Sequence, residues 1–63
     1  MTFIVWGKNG KELGEVLFFS ALTDKEFTKR YNKNKTFNTK VREAIIAIAK
    51  NYRWDIDSYE MKL

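Results

Sequence analysis

The chain has neither cysteine nor histidine among its 63 residues. Without thiols there is no disulfide framework, and with imidazoles also missing the usual four-ligand zinc sites are excluded. A reducing cytoplasm is the expected setting. Long apolar runs are missing too: VLFFSAL and AIIAIA fall far short of a membrane span. The opening MTFIVWGKNG has no basic flank, and its apolar run is too short for a secretory signal. The expectation is a soluble, unexported protein with no metal and no cofactor.

Signatures of catalysis are equally scarce. The three glycines, Gly7, Gly10 and Gly14, lack phosphate-loop spacing and precede a strand rather than a helix. Serine occurs only at Ser20 and Ser58, in no nucleophile context. Glu12, Glu15 and Glu43 have no base or nucleophile near them in sequence. Asp55 and Asp57 lie two apart and would share one face of a strand, where they could ligate a hard cation, but two carboxylates rarely make a tight site. They read better as exposed positions alternating with Trp54 and Ile56. Asn34-Lys35-Thr36 matches the glycosylation pattern, a chance match in a chain with no evident route to the secretory pathway. The chain is not expected to be an enzyme.

What is present suits one small folded domain spanning residues 1–63, since 44% of residues are hydrophobic and 16% aromatic. A domain this short buries only about 60% of its unfolded surface, so its stability should be modest. The net charge of +4 is uneven: residues 23–42 hold seven Lys or Arg against two acids, and the remainder sums to −1. Such asymmetry can steer an anionic partner. A composition with nine Lys, five Asn and no Pro is also what AT-rich coding sequence produces.

Asn9-Gly10 is the strongest local signal, because both residues tolerate the positive φ of a type I′ turn. A two-residue loop there would set Trp6 opposite Leu13, Val5 opposite Gly14, Ile4 opposite Glu15 and Phe3 opposite Val16. One hairpin face would then hold Phe3, Val5, Val16 and Phe18, and the other Ile4, Trp6, Leu13, Leu17 and Phe19. Both are apolar, which leaves open which one is buried. Thr23 and Glu26 fit a capping box, with Leu22 poised to staple on Phe27 and Tyr31 extending that inner face. Asn32 to Thr36 reads as a loop, and Asn38 as the cap of a second helix near 39–52. Val41, Ala44, Ile45, Ile48 and Tyr52 form its apolar stripe. In the last segment the apolar phase changes between Ile56 and Tyr59, which a strand with a bulge, or one that starts late, near Asp57-Ser58 would account for. The predicted fold is α+β: a β-β-α-α-β domain whose N-terminal hairpin and C-terminal strand make a three-stranded sheet, with two helices on one face. The order of the strands stays open.

Two surfaces follow. The face Ile4, Trp6, Leu13 and Leu17 could anchor a protein partner or a second copy of the chain, because apolar patches rimmed by charge mark contacts and Trp is enriched at binding hot spots. Lys33, Lys35 and Arg42 would then serve as electrostatic steering. This predicts a regulator or inhibitor that occupies a surface of another protein, and the small, AT-rich composition fits a phage or mobile-element product. The alternative is a nucleic-acid module using Lys29, Arg30, Lys33, Lys35, Lys40 and Arg42, with Tyr31 and Phe37 as stacking residues. Against it, both aromatics sit where a small core needs them, and only three of the twelve cations are Arg. No helix-turn-helix, zinc-finger or RNA-recognition signature accompanies the basic segment.

Overall fold

Asn9 and Gly10 turn the chain back on itself at φ values of 68° and 71°. They belong to a short 3-10 turn, Lys8–Gly10, closed by the Gly7 N–H donating to the Lys11 carbonyl at 2.7 Å. The computed structural model describes all 63 residues, and this turn joins β1 (Thr2–Gly7) to β2 (Glu12–Leu17). Phe3 pairs with Val16, Ile4 with Glu15 and Val5 with Gly14, in the predicted register. Nearer the turn the register departs from it: Trp6 pairs with Glu12, and Leu13 becomes the extra residue of a bulge. Leu13 thereby leaves the face of Ile4 and Trp6, packs against the core, and lies over the bare Gly7 backbone. Burying an isobutyl group rather than exposing it favours this shift.

The third strand, β3 (Ile56–Met61), joins the far edge of β1, giving the order β2-β1-β3 with antiparallel pairs throughout. Gly7 pairs with Ile56 and Trp6 with Ser58, so Asp57 is the extra residue, at the place where the sequence changes its apolar phase. The bulge lets Ile56, Tyr59 and Met61 share one side of the sheet.

On that side lie α1 (Asp24–Lys33) and α2 (Lys35–Tyr52). The predicted capping box forms: the Glu26 N–H donates to Thr23 Oγ1 at 3.2 Å, and Glu26 Oε1 accepts from the Thr23 N–H at 3.5 Å. The predicted 32–36 loop does not exist. Asn34 alone separates the helices, its Oδ1 accepting from the Phe37 N–H at 3.0 Å while its own N–H donates to the Arg30 carbonyl at 2.8 Å. One side chain of the right spacing thus caps α2 as α1 ends. Asn38, expected as the cap, lies inside α2 and donates to the Tyr31 carbonyl at 3.3 Å. The earlier start brings Phe37 into the first turn, with its ring centre 5.0 Å from that of Phe27.

The buried core is Phe3, Val5, Val16, Phe27, Val41 and Ile45. Phe3 is its hub, with the rings of Phe18, Tyr31, Phe27 and Tyr59 centred 5.4 to 6.1 Å away. Tyr52 departs from the expected apolar stripe. It is 67% exposed and stacks on Trp54, which in turn covers the bare backbone of Gly14.

Candidate interaction surface

Both helices cover the same side of the sheet, so the opposite side has no second layer. Strand pairing places Ile4, Glu15 and Glu60 in one row across it, Trp6 with Glu12 and Ser58 in the next, and Thr2 with Leu17 in another. Of the four residues expected to form a patch, Ile4, Trp6 and Leu17 therefore share the uncovered face, and Leu13 does not. Leu17 is 54% exposed, whereas Ile4 and Trp6 are half-buried between the flanking strands.

Side chains from β3 hold this face together. The Trp6 indole N–H donates to Glu60 Oε1 at 3.0 Å, and Lys62 Nζ pairs with Glu15 Oε2 at the same distance. Glu60 and Lys62 were not among the predicted site residues. Nothing in the sequence says that β3 runs beside β1, and only that adjacency brings them to Trp6 and Glu15. The indole is thus held in one orientation by a carboxylate on a neighbouring strand, a pre-organised aromatic of the kind that loses little entropy on binding.

The basic segment is divided by the helices that carry it. Lys29, Arg30 and Lys33 line one shallow surface of α1 with Glu26 and Asn34. Lys35 and Lys40 line another, on α2, with Thr36, Thr39 and Glu43. Arg42 is two residues from Lys40, roughly 200° around an α-helix, so it points elsewhere. Its charge acts instead on Tyr59, whose hydroxyl is pushed above its ordinary pKa by burial and by the neighbouring Tyr31, with Arg42 pulling the other way. The two aromatics of this segment are held by packing: Tyr31 lies against Phe3 at 5.7 Å and Phe37 against Phe27 at 5.0 Å. Arg30 sits over the outer side of the Phe37 ring at 5.9 Å. The six cations are thus carried by two helices.

Two apolar clefts flank α2. Phe18, Phe19, Phe27, Phe37 and Val41 line one of about 290 Å³, at whose rim Phe19 is 90% exposed. Ile46, Ala49, Trp54, Ile56 and Tyr59 line the other, of about 400 Å³, where Lys50 and Asp57 also lie. Asp55 pairs with Lys8 at 3.2 Å, and Asp57 is the bulge residue of β3. No helix is long and apolar enough to cross a membrane. The chain is a small α+β domain, and comparison with protein-family models, curated proteins and solved structures gives no match to it.

Proposed function

We propose that the chain is a non-catalytic binding protein, a regulator or inhibitor that acts by occupying a surface of another protein through its helix-free sheet face. The observation that carries this reading is the set of Ile4, Trp6 and Leu17 on a sheet side that no element covers, with the Trp6 indole tethered to Glu60 at 3.0 Å. A three-stranded sheet with helices on one side requires only one apolar face. Apolar side chains on the second face, with a tryptophan among them and carboxylates around them, fit the anatomy of a contact site. The nucleic-acid alternative is supported less well, because its cations are distributed over separate surfaces and its aromatics are packed inward.

The test is site-specific photo-crosslinking in cells that make the protein, with the reactive residue at Leu17 in one variant and at Lys33 in another. The expected result is a discrete protein adduct from position 17 that disappears when Trp6→Ala is added, and no nucleic-acid adduct from position 33. Nucleic-acid adducts from position 33, with none to protein from position 17, would reverse the assignment.

A further inference from the structure

The sheet's glutamates gather on its uncovered face, while most of the chain's cations lie elsewhere. Twelve cations against eight acids make the protein basic, yet nine of those cations, Lys25, Lys29, Arg30, Lys33, Lys35, Lys40, Arg42, Lys50 and Arg53, lie on the helices or the α2 cap. The strand register instead gathers Glu12, Glu15 and Glu60 beside Ile4, Trp6 and Leu17. Only Glu15 has a cation, Lys62 at 3.0 Å, while Glu12 and Glu60 form no ion pair. In a protein with an excess of Lys, two unpaired carboxylates flank the one tryptophan on an open face.

We infer that the helix-free sheet face takes a basic partner protein, one whose contact surface sets Lys or Arg side chains around an apolar anchor, and not a second copy of this chain. The inference rests on the protein-contact reading above and gives that partner its chemistry. Cations arriving at this face meet Glu12 and the free oxygen of Glu60 while their apolar neighbours cover Ile4, Trp6 and Leu17. A twofold pairing of two such faces would instead bring together two patches of like net charge, each with Glu12, Glu15 and Glu60 against Lys62. The helical cations do not cancel this local field. They project from the other layer of a body 18 to 20 Å across its smaller dimensions, roughly two Debye lengths at physiological salt.

The test uses the ¹⁵N-labelled chain and three synthetic amphipathic helical peptides that share one Leu-rich face and carry Lys, Gln or Glu at every polar position. At physiological salt the Lys peptide is expected to shift the Trp6 indole signal and the amides of Ile4, Glu15, Leu17 and Glu60. The Glu12→Gln, Glu60→Gln double variant, whose amide oxygen at position 60 can still accept from the Trp6 indole, is expected to bind it on the order of fivefold more weakly. Equal shifts of these signals with the Gln or Glu peptide would overturn the basic-partner inference while keeping the contact reading. Silence of these signals with all three peptides would also overturn it, and the Leu17 crosslinks then decide the contact reading separately. A molecular mass that rises from micromolar to millimolar concentration, with the same signals moving, would assign the face to a second copy and overturn the inference.

Discussion

Gly14→Ala is the sharpest test of how the last turn of α2 closes on the sheet. A methyl built on Gly14 would stand 2.7 Å from Trp54 Cζ2 and 2.8 Å from Cη2, against an ordinary carbon contact of about 3.5–4.0 Å. The indole is rigid, so the ring must retreat by roughly 1 Å as a unit, carrying with it its stacking on Tyr52, whose ring centre is 5.1 Å away. Overpacking of this kind costs about 1–3 kcal/mol. Replacing glycine restricts the unfolded chain and returns about 0.4–1 kcal/mol. The central values of the two, about 2 and 0.7 kcal/mol, leave a net loss of about 1–2 kcal/mol. For a domain of this size that lowers the melting temperature by roughly 5–15 °C. Thermal and urea melts followed by circular dichroism read it directly. In a Trp54→Leu background, where the flexible side chain can move aside, the penalty of Gly14→Ala is expected to vanish. A Gly14→Ala protein as stable as the parent, or more so, would refute the seating of Trp54 on Gly14.

Further outcomes follow from other contacts. Asn34→Ala removes the acceptor for the Phe37 N–H and should cost about 1 kcal/mol in urea melts, with Asn34→Asp recovering most of it. Thr23→Ala should cost a similar amount by removing the capping-box oxygen. Tyr59 should ionise above the ordinary tyrosine range in an ultraviolet titration, because burial first and Tyr31 next raise its pKa. A folded-state pKa above the unfolded value leaves stability whole below about pH 10 and removes it as pH rises further. Tyr59→Phe should therefore flatten that part of the alkaline stability profile. Trp6→Ala should abolish the Leu17 crosslink while the chain still melts cooperatively, and Lys33→Glu with Lys35→Glu should leave that crosslink unchanged.

Features that depend on a few neighbouring residues are legible in the amino-acid sequence. Thr23 and Glu26 lie three apart and satisfy each other's backbone groups whatever surrounds them. Asn9 and Gly10 accept positive φ on their own account, and the phase change after Ile56 is visible because side chains alternate along any strand. The five elements, their order and their α+β class follow from such signals. The α1–α2 junction illustrates the limit, since Asn34 and Asn38 are both competent caps by type. The packing of Phe37 on Phe27 suits the start at Lys35.

The make-up of the candidate face depends instead on how the strands pair and on which side the helices pack. Leu13 looks like a neighbour of Trp6 until the bulge adds one residue to β2, and a one-residue slip moves a side chain through the sheet. Glu60 and Lys62 reach Trp6 and Glu15 because β3 pairs with β1 rather than with β2, a choice made by contacts between the two ends of the chain, 54 residues apart for Trp6 and Glu60. Alternation names two faces of the hairpin. Which one the helices cover depends on the whole core, where Phe3 and Val5 are fully buried, and that burial leaves Ile4 and Trp6 facing outward.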